Sequence, residues 1–337
     1  MIKHVVVRTD PAAAYPQLAA LRSAVEAGDW PRARAILDAA SPVERTELIR
    51  AAGVARSKRT GDLLGRALAA VPGDGSAAAM LGFYLIDAGW QIRGNDTANA
   101  VGRRQFARFH DKLREAEQVL FPATDHNPYD PALWTARLTV ARGLQLGPDE
   151  AYRRYQRLAE IDPHHLPAQS QLLQQLCPKW GGTWEQVFGF AHDRARAAPE
   201  GAPNPVLVAD AHLEHWLATA GDGRMRPTGD VLAAAQRSIF HPAYRREVGW
   251  VSTLNTFAMA FSLLGDRESA RRAFTMLDGH ASRFPWAYLG DPAPSFRRNR
   301  ALAFGWSGPA VVDRVMMVMF RPNTQLLEAL RLTRRTG

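Results

Sequence analysis

Apolar positions along this chain recur with the spacing of a helix almost throughout, and the strict alternation of a half-buried strand is nearly absent. From Pro16 to Ala27 the apolar positions are Leu18, Leu21 and Val25; from Pro31 to Ala40 they are Ala33, Ile36 and Leu37, with Gly28-Asp29 between. This reads as a helix pair. Its turn and second helix, Gly28-Asp29-Trp30 with Ala33 and Leu37, recur as Gly265-Asp266-Arg267 with Ala270 and Phe274 and as Gly147-Pro148-Asp149 with Ala151 and Tyr155. Three copies of one pattern predict a repeat architecture.

The fullest copy is Val251 to Leu277, where Leu254, Phe257, Ala258, Phe261, Ala270, Phe274 and Leu277 take the tetratricopeptide spacing. Small residues let two helices approach and large ones fill the groove between them. Another copy starts at Asp130-Pro131, passes Trp134 and Leu138, turns at Leu146-Gly147-Pro148 and ends at Ile161-Asp162-Pro163. Leu63 to Val71, Ser76 to Gly89 and Gln105 to Leu120 read as further helices, and Pro72 to Gly75, Phe121 to Pro131, Pro199 to Pro205 and Gly221 to Gly229 as connectors. The expected fold is all-α: stacked antiparallel helix pairs of the tetratricopeptide-like α-solenoid kind, one domain over 1–337 with a soft division near 121–130. A pair of this kind cannot bury its apolar stripe alone, so neighbours must stack on it.

Ala88-Gly89-Trp90-Gln91-Ile92-Arg93-Gly94, Phe106, Leu113-Arg114-Glu115-Ala116, Tyr129-Asp130-Pro131, Cys177-Pro178-Lys179-Trp180-Gly181-Gly182-Thr183-Trp184-Glu185 and Phe190-Ala191 follow one another in order. This set resembles a bacterial family of tetratricopeptide-like proteins of unknown function, marked by Trp-x-x-Arg-Gly and Pro-Lys-Trp-Gly-Gly segments. The resemblance covers roughly Ser76 to Ala220, and Thr183 stands where the family usually carries serine. It implies the helical-repeat fold and no particular activity.

Composition narrows the class. Of 337 residues, 46% are hydrophobic and 22% charged, enough to bury a large core and far from a disordered composition. The longest apolar run, Val311 to Phe320, is too short for a membrane span and is broken by Asp313 and Arg314. Met1 to Asp10 lacks the apolar region and cleavage site of a secretory signal, so a cytoplasmic location is expected. The single cysteine, Cys177, leaves no internal disulfide and no Cys-rich zinc site. The net charge of +9 comes chiefly from dispersed arginines, with clusters only at Arg297-Arg298-Asn299-Arg300 and Arg331 to Arg335. Without interleaved aromatic residues or a recognition helix, these clusters read as solvated surface, and an anionic or nucleic-acid partner ranks third among the functions.

No glycine-rich phosphate loop, nucleophile elbow or supported paired-carboxylate motif is present, so no cofactor is expected. Two places merit attention. In Lys179 to Glu185, Gly181-Gly182 predicts a left-handed turn or a close backbone approach, Thr183 a helix cap, and Trp180 a plug between helix pairs. The functional alternative makes Trp180 and Trp184 a binding shelf, with Lys179 for an anion. If Thr183 to Ala197 and Pro205 to Thr219 form a hairpin, His192, His212 and His215 converge, with Trp216 nearby, as candidate metal ligands or a general base. Packed or solvent-facing histidines are the plainer reading. Asp125-His126-Asn127 and His164-His165 are expected in solvated connectors, and Phe284 to Tyr288 is an aromatic segment able to present an anchor beside positive charge. The leading function is a protein-interaction or scaffold module binding a peptide or protein on its concave face, with an enzyme built on the histidines as the alternative.

Overall fold

The computed structural model describes residues 6–54, 57–94, 102–219, 223–226 and 228–305. Among these there are fifteen α-helices and no β-strand, as the periodicity predicts. Trp306, the Val311 to Phe320 run and the Arg331 to Arg335 tail lie outside the described residues. No described helix is long and apolar enough to cross a membrane.

The chain divides into two compact units, one of Tyr15–Gln186 and one of Met1–Ala14 with Val187–Gly337. The first holds α1 (Pro16–Glu26), α2 (Trp30–Asp38), α3 (Pro42–Ala52), α4 (Lys58–Ala70), α5 (Gly75–Arg93), α6 (Arg103–His126), α7 (Pro131–Gly143), α8 (Pro148–Ala159) and α9 (Leu166–Leu176). The boundary falls within α10 (Trp184–Ala197), and the second unit continues with α11 (Val206–Thr219), α12 (Asp230–Arg237), α13 (Trp250–Leu264), α14 (Arg267–Leu277) and α15 (Pro292–Ala303). The 121–130 stretch lies inside the first unit.

The recurring turn uses a glycine each time, although Gly147 itself opens the next helix whereas Gly28 and Gly265 precede a capping aspartate. Gly28, Gly147 and Gly265 all have positive φ, at 76°, 90° and 76°, a conformation that glycine adopts without Cβ strain. The next helix starts at once, and Ala33 with Leu37, Ala151 with Tyr155, and Ala270 with Phe274 are all buried. Sequence and packing agree at each of the three sites.

In the first unit α1 packs on α3, α3 on α5, α5 on α7 and α7 on α9, while α3 also reaches α7 and α9. Aspartate caps help to fix that arrangement. Asp130 caps α7 through the Ala132 amide at 2.9 Å and accepts both guanidinium nitrogens of Arg45, from α3, at 2.7 and 2.8 Å. Asp74 caps α5 and accepts the Trp30 indole N–H at 2.9 Å. As a result α7 is buried along its whole length except at Arg142. It offers no open inner face, which the expected concave surface would need at this helix.

Two further expectations change. Phe121 to His126 continue α6 instead of forming a connector, although Pro122 lies inside the helix. Leu120, Ala123 and Thr124 remain buried there, so packing offsets the roughly 3 kcal/mol that an interior proline costs. His165 is fully buried at the start of α9, not solvated; its Nδ1 lies 3.1 Å from Asp162, whose carboxyl that hydrogen bond lowers.

In the second unit α13 is enclosed by α11, α12, α14 and α15. The N-terminal segment belongs here, since the Arg8 amide donates to Gly279 and the Ala281 amide to Arg8, both at 2.9 Å. Within the Phe284 to Tyr288 segment Trp286 turns inward, whereas Phe284 and Tyr288 stay half-buried. Trp286 is fully buried between Phe274 and Phe296, and its indole N–H donates to Asn255 at 2.5 Å. The expected exposed anchor is a core element because an indole in an apolar site needs both packing and a polar partner.

Candidate functional site

The Lys179 to Glu185 segment belongs to the first unit through Gln186. After α9 a single 3-10 turn spans Pro178–Trp180, and Gly181 takes a left-handed conformation with φ of 95°. Gly182 lies against backbone: a Cβ there would fall 2.0 Å from the Leu176 carbonyl oxygen. Both predicted glycine roles are thus present, one per residue. Thr183 accepts from the Gln186 amide at 3.2 Å, and Gln186 Oε1 accepts from the Thr183 amide at 2.9 Å, a reciprocal cap. The threonine was legible in sequence; the glutamine partner was not.

Trp180 meets Trp90 edge-on at 6.4 Å, lies 5.8 Å beneath the Arg142 guanidinium, and its carbonyl accepts from Gln175. Those contacts join α5, α7 and α9, so Trp180 acts as packing. Lys179 is exposed and Trp184 half-buried. Gly182→Ala is expected to destabilise the protein by about 3 kcal/mol, because backbone cannot yield as a side chain can. Gly181→Ala, whose Cβ meets nothing closer than 3.9 Å, should cost only about 1 kcal/mol. Urea midpoints of the two variants check this; equal losses would remove the close-approach explanation.

In the second unit the chemistry gathers on α11, whose two sides carry different groups. Helical geometry puts Asp210 and Glu214 one turn apart on one side, and His212 and His215 together on the other. His212 Nε2 lies 3.5 Å, and His192 Nε2 from α10 lies 3.6 Å, from the same oxygen of Asp230 at the start of α12. Both separations exceed a normal hydrogen bond, so these are electrostatic neighbours. His215 lies on the same side, its charge acting on His212, and Phe188 stands edge-on to His212 at 5.0 Å and to His215 at 5.8 Å.

Thus, with His215 near enough to act on His212 through its charge, His192 and His212 face one carboxylate that sequence reasoning missed. Its only sequence signal was an acidic residue opening a helix after the Gly221 to Gly229 connector. Burial holds His212 below the ordinary imidazole range, with Asp230 pulling the other way. Burial and then the Arg226 charge hold His215 low. Among the described residues no three His, Cys, Asp or Glu side chains are disposed to hold a metal ion. Trp216 donates its indole N–H to the Gly223 carbonyl at 2.8 Å, which ties the end of α11 to the following chain.

The opposite side of α11 holds a feature absent from the sequence reading, a buried carboxyl pair. Asp210 is 9% exposed and Glu214 2%. The Tyr288 hydroxyl donates to Glu214 at 2.5 Å, and Thr256 from α13 bonds to Asp210. Asp210 Oδ1 has no hydrogen-bond partner. Burial, reinforced by the Glu214 charge and opposed by Thr256, pushes the Asp210 carboxyl up to about 7. Two acids four residues apart on one side of a largely apolar helix were the available signal.

The Arg297 to Arg300 cluster on α15 does not form one basic face. Asn299 is buried, Arg300 lies 4.9 Å over the Phe304 ring, and burial lowers Arg298. No protein-family model matches the chain, and no curated protein is similar to it.

Proposed function

We propose that the protein is an interaction module of the tetratricopeptide-like class that binds a protein or peptide partner. The repeated glycine turn at positive φ, the succession α1, α3, α5, α7, α9 in the first unit, and the resemblance to bacterial tetratricopeptide-like proteins support this reading. The observation that carries it is an aromatic corner on the first unit. Tyr129 is 80% exposed and Phe121 54%, where most large apolar side chains are covered. Phe121 sits beside Arg137, whose guanidinium lies 5.1 Å over Phe121 and 5.2 Å over Trp134, while the Trp134 indole donates to Pro128, the residue before Tyr129. Asn127 bonds the Gly73 carbonyl, bringing exposed Val71 on the preceding turn to the same end of the helices.

Exposed aromatic residues are among the side chains that most often dominate protein interfaces. With α7 closed on its inner side, recognition at this corner uses the outer surface. Crosslinking pull-down with mass spectrometry on the full chain tests it. Partners should be enriched over an unrelated helical control and lost at least tenfold with the Phe121→Ala/Tyr129→Ala double variant, the circular dichroism melt being unchanged. Equal capture by both proteins, or none by either, would overturn the proposal.

A further inference from the structure

We propose that Arg8, Arg246 and His280 form a binding site for a phosphate group on the second unit. Three stretches distant in sequence build it. The N-terminal segment is joined to the chain after α14 by the two amide bonds at Arg8, an isolated parallel bridge that sets Arg8 and His280 side by side. Asp278 and Gly279 make the turn into that bridge, both with positive φ, at 45° and 84°. Asn255 of α13, fully buried, donates to the His280 carbonyl at 3.0 Å and so holds the same residue. The His280 ring meets Trp250 edge-on at 5.6 Å, and the Arg246 guanidinium lies 4.6 Å over that indole. The row therefore runs Arg8, His280, Trp250, Arg246.

Positive charge is in excess along this row. Both guanidiniums are anchored on carbonyls at the end of α14, Arg8 on Asp278 at 3.3 Å and Arg246 on Met276 at 2.7 Å, and that end supplies only the partial negative charge of a helix terminus. Each anchor takes one guanidinium nitrogen, and among the described residues neither arginine forms an ion pair. The acids at hand are Asp278, which acts on His280, and Glu247, next to Arg246 in the chain; Arg283, exposed, adds a further positive charge just beyond His280. Burial and then Arg8 hold the His280 imidazole below its ordinary range, Asp278 opposes them, and Arg246 adds to them, so the guanidinium charges outweigh Asp278 at that ring.

Two guanidiniums and an imidazole suit a dianion with several acceptor oxygens better than a carboxylate, which a single guanidinium satisfies. His280 donates to it when protonated, and a bound dianion favours that form. Trp250 is buried, so no indole face is open to stack a nucleobase. Recognition is of the phosphate oxygens.

Imidazole NMR on the full chain, with inorganic phosphate replacing chloride at constant ionic strength, tests this. Saturating phosphate should raise the His280 titration midpoint by about one pH unit and leave that of exposed His126 unmoved. Arg8→Gln and Arg246→Gln should each weaken phosphate binding about tenfold. Asp278→Asn should tighten it about threefold, because asparagine keeps the left-handed turn and removes the competing charge, and a gain cannot come from misfolding. A phosphoserine peptide distinguishes the source of the group: tighter binding than inorganic phosphate makes it protein-borne, equal or weaker binding a free anion. A His280 midpoint that phosphate moves no more than that of His126, or binding unchanged in both arginine variants, would overturn the site.

Discussion

Asp210→Asn should make the protein harder to unfold at pH 8, by on the order of 4 kcal/mol, from a carboxyl held at about 7 when folded against 3.8 in the free side chain. Between these values the folded chain binds more protons at this site than the unfolded chain. Stability from Asp210 is therefore complete below about pH 4, declines as pH rises, and is lowest above pH 7. Asparagine does not titrate, so its advantage must grow with pH. Urea unfolding at pH 5 and pH 8 should show a gain about 2.5 kcal/mol larger at the higher pH. A gain independent of pH, or a loss at pH 8, would refute the assignment. Most buried substitutions destabilise, which makes the expected direction a demanding test.

Glu117→Ala should act as strongly in the other direction. Arg137 and Arg154 are 5% and 4% exposed, and Glu117 bonds both, at 2.9 and 3.1 Å to Arg137 and at 2.9 and 3.0 Å to Arg154. Without that carboxylate Arg154 retains Glu150 at 2.7 Å, whereas Arg137 retains, among the described residues, the faces of Phe121 and Trp134. Leaving a buried guanidinium without its anion costs about 3 to 5 kcal/mol. The exposed pair Arg114 and Asp111, at 2.8 Å on the same helix, is the control, with an expected loss below about 1 kcal/mol for Asp111→Ala. Similar denaturant midpoints for Glu117→Ala and Asp111→Ala would show that the network contributes little. Acid should weaken the same network: hydrogen bonds from Arg153 and Arg154 hold Glu150 at about 2, so its contribution is present above its unfolded value near 4.5 and is lost as pH falls toward 2.

The sequence by itself determined the helical class, the glycine turns at Gly28, Gly147 and Gly265, the helix pair from Val251 to Leu277, and the cap at Thr183. These are local consequences, since helical spacing, left-handed glycine and capping hydroxyls act within a few residues. The convergence of His192 with His212 was legible for the same reason, because helix periodicity fixes which side chains share a level.

Only the tertiary structure decided which apolar stripe closed on which neighbour. It turned Trp286 inward, carried α6 through Pro122, enclosed α7, and brought Asp230 to the histidines. It also gave Asp210 and Glu214 their chemistry, for Tyr288 lies 74 residues from Glu214 along the chain. A carboxyl's proton affinity depends on the solvent and charges around it, and the residues that exclude water from Asp210 come from elements that only folding brings together.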